Sequence, residues 1–359
     1  MKRKLFAVFC LTVWVASWWV SFWLFAGLTL LGFLGGAAIA GNRLGNRLLK
    51  KTNWYKNQFV FTSFSTSYRD NLVRNYEVAN VGSNPARFAF FYETVKGQNW
   101  STGSQALDMD LEVLKYYHSY LKEGGYVLVP IVPFTSVSAS LRFGNMNRAY
   151  KVKFASVLNY WQLVKLPGGL AARQWIDRPL SGNWKALRYL LKDVEKDKRL
   201  DIVEQPMESI ELRRDAEGWM RLWKNEFSIK DWEAPLDARL QKDREQSVKD
   251  LQAILDFCLE RNLRPVIVIP PMSAFLAAKF TKRMRETYIY SFIRQANVRK
   301  VPFLDYLDDP RFTDVGLYFN SFFLNLRGRK LFTKQVLADL GIPDGAGLPS
   351  GVRREEGRP

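Results

Sequence analysis

A chain of 359 residues is long enough for one large domain or two ordinary ones, and a formal net charge of +18 makes it basic. The charges are dispersed, and no helix-turn-helix, zinc-finger or RNA-binding signature is present; this argues against nucleic acid and leaves polyanions or an anionic membrane face as neighbours. Two cysteines, Cys10 and Cys258, and a single histidine, His118, exclude a disulfide framework and Cys- or His-rich metal sites, and no cofactor is expected.

Leu5 to Ala40 carry no charged side chain and are dense in Trp, Phe, Leu and Val. About twenty apolar residues span a bilayer, so this run predicts one N-terminal transmembrane helix and an anchor over residues 1–41, with a tight two-helix hairpin of short arms as the alternative. Ala38-Ile39-Ala40 fits a leader cleavage site, but the apolar run is too long for a usual leader, which favours an uncleaved anchor. Lys2, Arg3 and Lys4 precede the span, and Arg43, Arg47, Lys50 and Lys51 follow it, so the positive-inside rule is nearly balanced. Residues 42–75 read as a basic connector, with a short strand at Phe59 to Phe64.

The pattern then turns regular. Tyr76 to Val81 reads as a strand that stops at Gly82; Ser83 and Asn84 follow, then Pro85 and a helical run, giving strand, tight turn and helix with Ser83 on the turn. Such a turn lifts a hydroxyl out at the carboxyl edge of a sheet, although a Ser in this place can equally cap the helix. Thr94 onward predicts a short strand ending at Gly97-Gln98-Asn99. Ser104 reads as the N-cap of a helix to about Lys122, with Leu107, Leu111, Leu114, His118 and Leu121 on its buried face and Gly124-Gly125 as its stop. That stripe makes His118 a core histidine far from the carboxyl edge. The continuous apolar run Tyr126 to Val132 predicts a strand covered on both faces, ending at Pro133-Phe134-Thr135-Ser136.

Residues of about 137–233 are rich in Arg, Lys and aromatic residues and read as a helical insertion capping the sheet's carboxyl edge, with helices near Ala149 to Val164 and Asn183 to Lys198. The pattern resumes with a helix from Leu236 to Leu263, a strand over 265–270 ending before Ser273, a helix near Lys282 to Ala296 and a strand over 301–304. A polar loop with Asp308, Asp309 and Asp314 then leads to Asn320 to Asn325 and a final helix, about Arg327 to Leu340; residues 343–359 read as a disordered tail. Strands alternating with helices predict an α/β fold, an open parallel five-stranded sheet between helix layers, over residues 76–342. Ligands bind at the carboxyl ends of such strands, which gathers Ser83, Gly97, Asn99, Thr135, Ser136, Ser273 and Asn320 at one edge.

Asn80-Val81-Gly82-Ser83-Asn84 resembles the first block of the SGNH/GDSL hydrolase superfamily, and Asn320 to Gly328, NSFFLNLRG, is similar in shape to its last block, Asp-x-x-His-Leu-Asn-x-x-Gly. The resemblance implies a flavodoxin-like three-layer fold, Ser83 as nucleophile, and Gly97 and Asn99 as oxyanion donors. Thr135, Ser136 and Asn320 would complete the binding edge. More loosely, the chain resembles the membrane-anchored branch typified by the D-alanyl-lipoteichoic acid biosynthesis protein DltD. That likeness implies a main domain outside the cytoplasm, a cell-surface glycan or polyanionic envelope polymer as partner, and a membrane-bound acyltransferase as a second one.

The departures from the family pattern are chemical. A Ser nucleophile needs an adjacent base, but Phe323 stands where the family has His, and Asn320 where it has Asp. The Gly-x-Asn-Asp block after the third strand reads Pro133-Phe134-Thr135-Ser136. Asp308, Asp309 and Asp314 are the carboxylates left as candidate bases, with solvated loop acids as the plainer reading. Two functions stay open: ester cleavage or acyl transfer at Ser83 with an atypical base, or an inactive hydrolase-like domain that binds envelope polysaccharide and assists its assembly.

Overall fold

The computed structural model describes residues 2–49, 51–53, 73–138, 141–145, 154, 157–158, 184–192, 195 and 205–343. The chain divides into two compact units, Met1–Lys56 with Asn159–Lys196, and Asn57–Leu158 with Asp197–Pro359.

In the first unit the apolar run forms two helices, α1 (Lys2–Val20) and α2 (Phe22–Leu49), parted at Ser21. Trp14 Nε1 donates to Thr29 Oγ1 at 2.8 Å, and the Trp14 and Phe25 rings lie 5.0 Å apart. Positions fifteen apart in one straight helix would be ~22 Å apart, so the chain folds back at Ser21. Ser17 Oγ donates to Trp14 O at 2.6 Å, a back-bond that bends helices just before the break. Of the two arrangements this run allowed, the chain takes the hairpin, and one of its arms, α2, is long and apolar enough to cross a membrane; it runs past residue 41 to Leu49. Leu49 packs under Leu187, Tyr189 and Leu190 of a 3₁₀ segment, Trp184–Leu190, where a longer helix was expected.

The second unit holds the sheet. Its strands are β1 (Tyr76–Asn80), β2 (Gly97–Asn99), β3 (Leu121–Pro130), β4 (Arg264–Ile269) and β5 (Phe303–Asp305). All neighbours pair parallel, in the order β2-β1-β3-β4-β5. A four-residue helix, α3 (Asn84–Arg87), follows β1; α4 (Leu107–Tyr117) follows β2; α5 (Ser209–Glu226) and α6 (Ala238–Leu259) precede β4. Beyond β4 come α7 (Ala274–Ala277), then α8 (Lys282–Arg285) passing through a π turn into α9 (Ser291–Ala296); α10 (Leu326–Asp339) ends the fold.

Side chains of a strand alternate between faces, and a doubly covered sheet must bury both. Val78, Leu128, Val266 and Val268 pack with Phe332, Val336 and Leu337 of α10 and Leu212 of α5. Val127, Val129, Ile267 and Ile269 alternate with these and are fully buried, on the side where α6 packs on β4 and against α4 and α9.

Three local expectations shift. Ser104 has φ +61°, which no N-cap adopts; the extended Ala106 precedes α4 instead. Gly124 and Gly125 do not stop a helix but lie inside β3, where the pairing register slips between Tyr76 and Val78. The helix α5 went unforeseen, although Leu212, Ala216, Trp219 and Trp223 recur at helical spacing. Of the other expected features, the strand at 59–64, most of the helix at 149–164 and the tail beyond 343 lie outside the described residues.

Gly82 governs the exit from β1. Its φ is +114°, and a Cβ there would stand 2.8 Å from the Cβ of Ala86. Gly82→Ala should therefore cost about 2–4 kcal/mol through backbone strain and overpacking, read as a lower denaturation midpoint at unchanged m-value.

Candidate functional site

The strand order reverses between β1 and β3, and the crevice beyond their carboxyl ends is where open parallel sheets hold ligands. A cavity of about 180 Å³ lies there, lined among others by Ser83, Ser104, Gln105, Asp110, Thr135 and Glu226. Its apolar wall comes from Phe134, from Trp219 and Trp223 of α5, and from Phe322 and Phe323. A larger open groove lined by Lys282, Arg283, Arg285 and Glu286 lies elsewhere; among the described residues it holds no Ser, Thr or Cys, and its Arg285 is spent on Asp308.

Ser83 stands at the N-cap position of α3 in extended conformation, yet its side chain makes no capping hydrogen bond. The hydroxyl is half-buried at the cavity and free of the duty that would have explained it away. The turn is held from behind. Gly82 N–H donates to Asp110 Oδ1 at 2.8 Å, and Gln105 Nε2 donates to the same oxygen at 2.6 Å. Thr102 N–H donates to Gly82 O at 3.1 Å.

Asp110 had not been singled out in the sequence. It sits three residues after Leu107 and four before Leu114, so an acid occupies the buried stripe of α4, and that placement was the available signal. It is 2% exposed. Burial pushes its carboxyl up to about 7, against the lowering effect of the Gln105 and Gly82 hydrogen bonds, and the nearby Asp108 adds to the rise. Glu226, exposed at the C-terminal end of α5, is also raised, because the apolar wall removes part of its solvent.

The other expected residues are used for structure. Gly97 lies in β2, paired with Val78 below the edge; its N–H donates to Val95 O at 2.8 Å, and the Tyr92 ring occupies the space a Cβ would need. Asn99 Nδ2 donates to Phe90 O at 3.1 Å and reaches Arg87 O and Ala86 O, while its Oδ1 accepts from Asn80 Nδ2 at 2.9 Å and from Ser101. Both thus bind the turn together instead of facing the cavity as oxyanion donors. Thr135 lines the cavity, its Oγ1 accepting from Val132 N–H at 3.1 Å. Ser136 is fully buried and donates to Tyr288 O at 2.8 Å, away from the cavity.

The loop from Asn320 to Asn325 reaches the cavity with Phe322 and Phe323, whereas the Asn320 side chain accepts the N–H groups of those two residues at 2.9 and 2.7 Å and holds its own turn. Phe323 packs among Phe88, Trp219, Phe319 and Phe322, with ring centroids 5.1 to 5.7 Å away. Leu324, Asn325 and Gly328 also serve the fold. Asn325 caps α10 through Gly328 N–H at 3.0 Å, and a Cβ on Gly328 would meet Leu317 O at 2.3 Å.

His118 follows the last residue of α4, half-buried rather than in the core, with Nδ1 3.1 Å from Lys115 O and its ring edge-on to Phe257. The loop acids are engaged as well. Asp308 pairs with Arg285, Asp309 caps and pairs with Arg311, and Asp314 accepts from Gly316 N–H and pairs with Arg327 at 3.4 Å. Ser273 caps α7 and is 1% exposed. No protein-family model matches the chain, and no curated protein matches it.

Two outcomes follow from this geometry. Ser83→Ala should change stability by less than about 0.5 kcal/mol, because no cap is lost, whereas a capping Ser would cost about 0.5–2; denaturant titration distinguishes the two. Asp110 has a folded value above its unfolded one, so the folded chain holds the extra proton between pH about 4 and about 7. Stability from this group is present at the acid end and is lost as pH rises through that window. Relative to Asp110→Asn, the parent should lose a few kcal/mol, at most about 4, between those limits.

Proposed function

We propose that this chain is a membrane-anchored, SGNH/GDSL-hydrolase-like protein whose main domain binds a group of a cell-envelope polysaccharide or teichoic-type polymer, with ester turnover impaired. The observation that carries this reading is the company Ser83 keeps. Its hydroxyl stands free at a strand-to-helix turn over a cavity, but the groups hydrolysis would enlist are committed elsewhere. The Gly97 N–H and the Asn99 side chain are saturated, Asn320 holds its own turn, and a packed phenyl ring stands where a proton acceptor is needed.

A second reading is acyl transfer or ester cleavage at Ser83 with an unusual base. It is favoured by Asp110, a buried carboxyl raised to about 7 that lines the same cavity. The Asp110 oxygen that accepts from Gly82 acts on the turn, which supports a positioning role over proton abstraction. Attachment through α2 and an extracytoplasmic main domain belong to the proposal; the first rests on the length and apolarity of α2, the second on the resemblance alone.

Treatment of the full-length chain in detergent with a serine-reactive fluorophosphonate tests the choice. The expected result is no label at Ser83, with parent and Ser83→Ala giving the same signal. Stoichiometric label that disappears in Ser83→Ala overturns the binding reading in favour of catalysis. Carbonate washing of membranes should leave the chain in the pellet, and its release would refute the anchor.

A further inference from the structure

The chain is basic, with a formal charge of +18, yet the cavity at Ser83 is not. Among the described residues its lining holds two carboxyl groups, Asp110 and Glu226, and no Lys or Arg. In a protein with 53 basic side chains, a cavity whose described lining holds acids and no basic group has the opposite sign to the chain as a whole. Such a site disfavours the anions that the bulk charge would attract.

The polar inner wall has an unmet need. Gln105 is 3% exposed, and its amide nitrogen is committed to Trp100 O at 3.2 Å and Asp110 Oδ1 at 2.6 Å. Those two acceptors fix which end of the amide is nitrogen, so the other end is an acceptor, and Gln105 Oε1 is buried without a hydrogen-bond partner. A buried acceptor with no donor costs about 1–3 kcal/mol, and a ligand that supplies N–H or O–H groups removes that cost.

The apolar wall is aromatic. Trp223 packs on Phe322 at 5.0 Å and on Phe134 at 5.2 Å, while Trp219 lies 5.3 Å from Trp223 and 5.5 Å from Phe323. Aromatic faces carry negative quadrupole charge and attract organic cations, most strongly where water is excluded. The wall is also held under strain. Phe134 has φ +68°, an outlier for a bulky residue, and persists there with Trp223, Phe227, Trp232, Phe280 and Tyr288 packed around its ring.

We infer that the cavity takes a small organic ammonium group, with Asp110 and Glu226 supplying countercharge, Gln105 Oε1 accepting a hydrogen bond, and Trp219, Trp223 and Phe322 forming the apolar wall. The inference rests on the reading of this cavity as a ligand site and names the chemical class it selects. A volume of about 180 Å³ accommodates the amine-bearing end of a ligand rather than a polymer repeat, so the cation is a free amine or the terminus of a larger molecule. The raised carboxyls agree, since neither faces a basic side chain that would hold it down.

The test uses the full-length chain in detergent, with Trp fluorescence and calorimetry as readouts. The probes are choline and ethanolamine, each against a neutral counterpart, 3,3-dimethyl-1-butanol and ethylene glycol. At least one amine should bind saturably and about tenfold more tightly than its counterpart. Glu226→Gln, a change at an exposed position that leaves the fold intact, should remove most of that preference while leaving the neutral probes unaffected. Glycerophosphocholine separates a lipid-borne amine, for which it outcompetes choline, from a free one, for which it does not; either order supports the amine class. Equal binding of amine and counterpart, or a preference unmoved by Glu226→Gln, overturns the inference while leaving the cavity as a binding site. Absence of saturable binding by either amine, with the neutral probes also silent, overturns both.

Discussion

One hydrogen bond, from Gly82 N–H to the Asp110 carboxyl, ties together the parts on which the site depends. Gly82 leaves β1 at φ +114°, a conformation open to glycine and strained for other residues. The sharp turn needs an anchor for its N–H, and α4 brings a carboxyl to it across the carboxyl end of the sheet. Gln105 braces the same oxygen, and Asn99 collects the carbonyls at the far end of α3. The turn that presents Ser83 is thus clamped on one side by the buried Asp110 and Gln105 and on the other by the half-buried Asn99. Such a network is rigid when satisfied and costly when broken. The anchor is itself an acid in an apolar place, so its charge and the shape of the turn are linked.

The aromatic layer is the second determinant. The loop from Asn320 to Asn325 delivers Phe322 and Phe323, and α5 meets them with Trp219 and Trp223. Each aromatic pair contributes about 0.5–1.5 kcal/mol beyond its buried area, so the loop is held in place by its own rings. Ser321 strengthens the clasp, its backbone N–H donating at 2.8 Å to Asp215 of α5. The wall and the scaffold are the same residues, which is why the cavity is well defined.

The first unit shows how a break changes the meaning of an apolar run. A single helix through Leu5 to Ala40 would have left basic residues on opposite sides. With α1 folded back on α2 at Ser21, joined by Trp14 and Thr29, the run is two unequal helices, and α2 alone has the length to span a bilayer. The polar hydroxyls of Ser17 and Thr29 return hydrogen bonds to backbone carbonyls of their own helices, so they remain satisfied within an apolar segment.

The sequence by itself determined the sheet. Apolar runs such as Val127 to Ile131 and Val266 to Ile269 are too continuous for a half-exposed strand, and the intervening helical spacing left a parallel arrangement as the way to connect them. The turn at Gly82-Ser83 was legible for the same local reason, a strand ending in Gly with Pro just inside the next helix. Whether Ser83 caps that helix was not legible, because a cap depends on where one hydroxyl points. The roles of Gly97 and Asn99 were likewise decided by tertiary contacts: the Tyr92 ring against one, three carbonyls around the other. Asp110 becomes an anchor because β1, α4 and Gln105 enclose it, and α5 becomes a wall of the cavity because Trp219 and Trp223 meet Phe322 and Phe323. Periodicity reports what each segment buries against the sheet. Which buried polar group answers which orphaned partner is fixed between segments far apart in the chain, and only the folded structure brings those together.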